Sequence, residues 1–151
     1  MGNLKLTSSA FSDGGEIPRE CGYKNGNEIP RLTISGIPEG KKSLALIMDD
    51  PDAMGAVGKV WVHWVAWNII SSTHEQGMDL TSFEANEGMT DFGEVGYGGP
   101  APPDKRHTYV FKLYALDSKL ELAAESTKAD VEKAMEGHII EQTQLTGTYA
   151  P

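Results

Sequence analysis

Ser43-Leu-Ala-Leu-Ile-Met-Asp-Asp-Pro-Asp52 and Val60-Trp-Val-His-Trp-Val-Ala-Trp-Asn-Ile-Ile70 are the stretches from which the fold of this 151-residue chain is read. Ser43 to Met48 is an apolar run of strand length, stopped by Asp49-Asp50-Pro51-Asp52, and reads as a strand buried on both faces. Val60 to Ile70 is apolar almost throughout, carrying Trp61, Val62, Trp64, Val65 and Trp67. It predicts a central strand in which His63 and Asn68 are the conspicuous polar members. Working outward, Thr108 to Leu116 alternates, placing Tyr109, Phe111, Leu113 and Ala115 on one face. The Gly-rich segment Gly88 to Pro103 precedes that strand, and unstructured segments of such length are commonly functional or mobile. Asn25-Gly26 and Pro38-Glu39-Gly40 are turn signals, and the 17 glycines and 8 prolines punctuate the chain as in an all-β domain. The strands at 43–49, 60–69 and 108–116 are expected in packed antiparallel sheets, with Trp61, Val65, Phe111 and Leu113 buried.

One helix is predicted near the C-terminus. Thr127 with Asp130 forms a capping signature, and Val131, Ala134, Met135, His138, Ile139 and Gln142 fall near a helical period. Gly137 would interrupt that helix at a cost of about 1 kcal/mol relative to Ala.

Composition bounds the function. With 39% hydrophobic and 23% charged residues, the chain reads as one globular domain over residues 1–151. No run approaches the roughly 18 apolar residues a membrane span requires, so no integral membrane association is expected. Met1 to Thr7 lacks a secretory pattern, and Leu6 stands where a myristoylation signal needs Ser or Thr. Cys21 is the single cysteine, which excludes an internal disulfide and suits a reducing cytoplasm. A net charge of −9 argues against nucleic-acid partners and means that any anion site must be built locally.

The common catalytic signatures are absent. Gly36-Ile-Pro-Glu-Gly-Lys-Lys-Ser43 is one residue short of a phosphate loop and precedes a strand instead of opening a helix. There is no Gly-x-Ser-x-Gly elbow, no His-Glu-x-x-His and no dinucleotide fingerprint. What remains is two polar segments. Asp50, at the end of one buried strand, can meet His63 on another and accept an imidazole N–H from it. Gly96-Tyr-Gly-Gly-Pro-Ala-Pro-Pro103 leads to His107 and Tyr109, which share a strand face. Gly98 and Gly99 would let the backbone approach a ligand and offer it N–H groups. Two imidazoles, a phenol and backbone amides suit a phosphate or carboxylate. Each piece also has a plainer reading: a histidine in a Trp-rich strand is more often structural, and Asp-Pro-Asp is usually a turn.

Beyond these physical readings, Ser35-Gly-Ile-Pro-Glu-Gly-Lys-Lys-Ser-Leu-Ala-Leu-Ile-Met-Asp-Asp-Pro-Asp-Ala53 with Val62-His-Trp-Val-Ala-Trp-Asn-Ile69 resembles the first signature of the phosphatidylethanolamine-binding family. Gly96–Pro103 with His107-x-Tyr109-x-Phe111 and Leu113-Tyr-Ala-Leu-Asp117 resembles the second. Glu132-Lys-Ala-Met-Glu-Gly-His138 and Gly147-Thr-Tyr149 are similar to its bacterial and archaeal, Raf-kinase-inhibitor-like branch. The resemblance implies a β-sandwich of two antiparallel sheets with a few peripheral helices, and a small preformed pocket for phosphate-like anions. It implies that Asp50, Asp52, His63, Gly99, His107 and Tyr109 line that pocket, with Pro102 and Pro103 at its rim. The sequence departs from the pattern at Met54-Gly55, where proline usually follows, at Thr108, where arginine is common, and at Asp104-Lys105-Arg106, which lacks a frequent glycine.

The expected function is therefore non-enzymatic binding of a phosphate or phospho-head-group, with no metal and no cofactor. Two alternatives stand beside it. One is an inhibitor docking on a serine protease or kinase, which should show an exposed loop or aromatic anchors outside the pocket. The other is a metal-dependent hydrolase using Asp50, Asp52, His63 and His107. A second copy of the chain, forming a homodimer, is a further candidate partner.

Overall fold

The computed structural model describes residues 3–71, 78–79 and 83–151. Among the described residues, nine strands and two short α-helices follow one another in the order β1 (Lys5–Thr7), β2 (Gly15–Glu16), β3 (Thr33–Ser35), β4 (Ser43–Asp50), α1 (Ala53–Val57), β5 (Trp61–Ser71), β6 (Met78–Asp79), β7 (Phe83–Glu87), β8 (His107–Leu116), α2 (Lys128–Met135) and β9 (Ile139–Tyr149). They form a six-stranded sheet, β2-β9-β8-β4-β5-β7, and a three-stranded one, β1-β3-β6. The pairs are antiparallel except β2 with β9, which run parallel, a departure from the purely antiparallel sheets expected.

The apolar run of β4 has its explanation in the register. This strand lies between β5 and β8 and is buried at every position. Leu44, Leu46 and Met48 point to one face, where they pack with Leu6 and Ile34 of the smaller sheet and with Phe111 and Leu113 of β8. Ala45 and Ile47 point to the other face and join Val65, Trp67, Leu116, Val131 and Met135. Because α2 covers that second face through Val131 and Met135, neither side of β4 can tolerate a polar alternation. Val65, Phe111 and Leu113 are buried as expected, whereas Trp61 is only partly buried.

The predicted helix is shorter than its apparent period. Thr127 and Asp130 form a reciprocal capping box, with Asp130 N–H donating to Thr127 Oγ1 at 3.3 Å and Thr127 N–H to Asp130 Oδ2 at 3.0 Å. The helix then stops at Met135, and Gly137 takes φ +80°, a left-handed conformation that turns the chain into β9. Ile139 and Gln142 therefore belong to a strand. Asn68 is also explained: it sits at φ +54° in a bulge of β5, and its side-chain amide pairs both ways with the backbone of Leu120. No helix of the described residues is long and apolar enough to cross a membrane.

Candidate functional site

Strand order brings the polar residues to one end of the large sheet. β4 separates β5 from β8, so Asp50 at the end of β4 lies between His63 on β5 and His107 and Tyr109 on β8. They line a cavity of about 180 Å³ together with Ala53, Ala56 and Val57 of α1, Trp61, Phe92, Ala101 and Pro103. A register shift between Met48 and Asp49 accompanies the split of the two acids. Asp49 turns to the opposite face and bridges Lys112 at 3.1 Å and Lys128 at 2.9 Å, a structural ion pair beside α2.

The expected Asp50–His63 pairing is corrected by the geometry. Asp50 instead holds His107, accepting from its Nδ1 at 2.6 Å, while its other oxygen accepts the Asp52 N–H at 3.0 Å. His107 Nε2 faces Asp104 Oδ1 at 2.8 Å, so this imidazole stands between two carboxylates. Burial disfavours the charged ring, but the two hydrogen bonds outweigh it and raise the His107 pKa above its usual value. With both nitrogens facing carboxylates, the geometry favours the doubly protonated ring. The same contact holds the Asp104 carboxyl below the ordinary range.

His63 is the opposite case. Its Nδ1 lies 2.7 Å from the Gly98 carbonyl, which makes Nδ1 the protonated nitrogen, with the Gly99 backbone also close to the ring and Nε2 as its other hydrogen-bonding atom. Burial pushes its pKa down, against weaker upward pulls from Gly98 and the Asp50 charge. Its ring packs edge-on against Tyr109 at 5.1 Å and Phe92 at 5.3 Å. Phe92 is itself stacked at 4.1 Å on Tyr23, whose hydroxyl donates to Glu94 at 2.7 Å.

Two buried donors at this cavity lack a partner among the described residues: the Tyr109 hydroxyl and the Trp61 indole N–H. Burial and then the Asp50 charge hold the Tyr109 phenol well above its usual pKa, against the nearby Ala101 N–H, so it is a neutral donor. Unpartnered buried donors are rare in folded proteins, because leaving one unmade costs about 1–3 kcal/mol.

The remaining expected residues serve the frame. Gly98 and Gly99 do not offer their amides outward: Gly98 N–H donates to the His63 carbonyl at 2.8 Å and Gly99 N–H to Asn27 Oδ1 at 2.7 Å. Glycine is required there by space, since a Cβ on Gly98 would lie 2.5 Å from the Phe92 ring and one on Gly99 would lie 2.0 Å from the Cys21 carbonyl. Asp52 stays outside the cavity lining and accepts the Thr108 N–H at 2.8 Å. Pro102 is buried behind the rim and lines, with Pro103, Arg19, Lys24 and Tyr149, a neighbouring groove. Among the described residues, no group of three or more His, Cys, Asp and Glu is placed to hold a metal ion. The exposed large apolar side chains among them are Ile29, Met54, Val57, Val95, Ile139 and Ile140, none aromatic. Sequence reasoning missed Trp61 and Phe92 as walls and Asp104 as a partner of His107. The length of the 88–103 segment was the one signal pointing towards Phe92.

The sequence profile of the family described as phosphatidylethanolamine-binding protein matches residues 7–150. A UPF0098 protein of Methanothermobacter thermautotrophicus is 41% identical over 158 residues, covering 97% of this chain and 98% of the relative. One from Chlamydia muridarum is 41% identical over 150 residues with the same coverage of each chain, 97% and 98%. Among solved structures, a phosphatidylethanolamine-binding protein homologue from Chlamydia trachomatis superposes with a TM-score of 0.87 at 37% identity, covering 99% of this chain and 98% of that one. E. coli YbcL, described as a member of the mammalian family, superposes with a TM-score of 0.83 at 30% identity over 98% of both chains. This chain belongs to the phosphatidylethanolamine-binding protein family.

Proposed function

We propose that the chain is a binding module whose cavity takes the oxyanion head of a small ligand, a phosphate or phospho-head-group, without turning it over. The observation that carries this reading is the pair of unpartnered buried donors, Tyr109 O–H and Trp61 N–H, at a cavity that His63 also lines. An oxyanion satisfies both donors at once and takes a third hydrogen bond from His63 Nε2 when that ring is protonated. The cavity, at about 180 Å³, is smaller than the roughly 300 Å³ at which drug-sized pockets begin, so it suits a head group. The resting electrostatics restrict the ligand further. Asp50 and Asp104 outnumber the His107 imidazolium, so a singly charged head is favoured over a dianion. The same reading takes the two sheets as halves of a β-sandwich, since Leu6 and Ile34 pack with Leu44, Leu46 and Phe111 across them.

Calorimetric titration with inorganic phosphate and with phosphoethanolamine tests this proposal. The native protein is expected to bind, and Tyr109→Phe is expected to bind about 2- to 12-fold more weakly, the worth of one net hydrogen bond. Neither protein is expected to hydrolyse phosphate mono- or diesters with or without added zinc or manganese. Equal affinity in Tyr109→Phe, or metal-restored turnover lost in Asp50→Ala, would overturn it.

A further inference from the structure

His107 lines the cavity, yet both of its nitrogens already face carboxylates of this chain. The two carboxylates are not equivalent. Asp50 has a side chain only 4% exposed, and its second oxygen is fixed by the Asp52 N–H. Asp104 has a side chain 44% exposed, and it also accepts the N–H of its own neighbour Lys105, at 2.9 Å. Among the described residues, no loop backbone hydrogen bond anchors residues 102–106, whose far end is tied by the Arg106 side chain to Glu16. The inner carboxylate is therefore part of the frame, and the outer one is the more exposed of the two and sits on a loop.

We propose that the Asp104 carboxylate is a built-in stand-in for the ligand's acidic group, occupying His107 Nε2 until an incoming oxyanion displaces it. The inference rests on the pocket reading above and adds a specific contact to it. The chemistry matches atom for atom: a carboxylate oxygen accepts from an imidazolium N–H, as a ligand carboxylate or phosphate oxygen would. Exchanging one for the other leaves the imidazolium paired and the Asp50 bond untouched, and the bonds broken are those of the exposed carboxylate, to His107 and to the Lys105 N–H. An internal competitor lowers apparent affinity by the fraction of time that it leaves the site open. It also selects against neutral ligands, which cannot replace a charged partner on His107.

The test uses the full chain, native and Asp104→Asn, titrated with inorganic phosphate by calorimetry while the imidazole nitrogens are followed by NMR. Asp104→Ala serves as a second variant, and because the side chain is exposed on a loop both are expected to fold. Removing the competitor should tighten phosphate binding roughly fivefold or more. In the native protein phosphate should move the His107 Nε2 resonance together with the Lys105 amide, which loses its acceptor. Acetate in place of phosphate separates a carboxylate ligand from a phosphate one. If phosphate binds both proteins with equal or weaker affinity in the variants, the inference fails while the pocket reading stands. A gain in affinity without movement of His107 Nε2 reports only the loss of a negative charge and overturns it too. If phosphate binds neither protein and leaves His63 and Tyr109 unmoved, the pocket reading itself fails.

Discussion

His63 and His107 flank the same strand and are driven in opposite directions by what they touch. His107 faces two carboxylates, and His63 faces a carbonyl in a ring of aromatic side chains. The consequence for stability has opposite signs. A raised folded-state pKa means that His107 contributes fully below its unfolded value of about 6.5, and the contribution is lost as pH rises through the raised value. A lowered one means that His63 withdraws stability as pH falls below about 6.5 towards its depressed value, since only the unfolded chain then takes up the proton readily. Urea denaturation across that range is expected to show the stability gap between native protein and His107→Asn narrowing as pH rises. A gap independent of pH would mean that folding leaves the His107 pKa unshifted, and a gap that widens as pH rises would mean that the folded ring is neutral. The residues of this site were legible as a set, because histidine, aspartate and tyrosine stand out in apolar strands. Their pairing was not. Sequence places Asp50 at a strand end but does not say which neighbour lies on which side, and β4 turned out to have a histidine on each flank.

At the scale of elements, burial on both faces leaves β4 and most of β5 no room for polar punctuation, and alternation marks β8, so all three were legible to within a residue or two. The boundary between α2 and β9 was hidden by coincidence. Val131, Ala134, Met135, His138, Ile139 and Gln142 continue a helical spacing, but Gly137 adopts the left-handed conformation that ends it. α1 gave no signal, being five residues of Ala, Met, Gly and Val after a turn. Two predictions belong here. Phe111→Ala should cost about 3–5 kcal/mol by denaturant titration, since Phe111 is wholly buried between the sheets. A loss under about 1 kcal/mol would place it at the surface. Thr127→Ala should cost about 1 kcal/mol through loss of the capping box, with no effect on ligand binding, because α2 covers the face opposite the cavity.

Across the whole molecule, a net charge of −9 surrounds a cavity proposed to take an anion. That field repels the ligand at long range, so affinity must come from the short-range donors Tyr109, Trp61 and protonated His63. The association rate for phosphate should therefore rise as salt is increased from about 10 mM to 150 mM, where the Debye length falls from roughly 30 to 8 Å. Stopped-flow mixing reads this directly, and a rate that falls with salt would mean that a positive patch steers the ligand. The central claim, that an oxyanion is held in this cavity by His63, is tested most directly by calorimetric titration of phosphate across pH on native and His63→Ala protein. Because the anion favours the protonated ring, affinity should grow as pH falls towards the depressed pKa of the free His63 ring, with proton uptake on binding. His63→Ala should keep only the part of that slope that comes from phosphate's own titration and bind roughly 10- to 150-fold more weakly at acidic pH, the worth of a charge-assisted hydrogen bond. A flat native profile with unchanged affinity in the variant would make His63 a structural residue of the sheet and contradict the account.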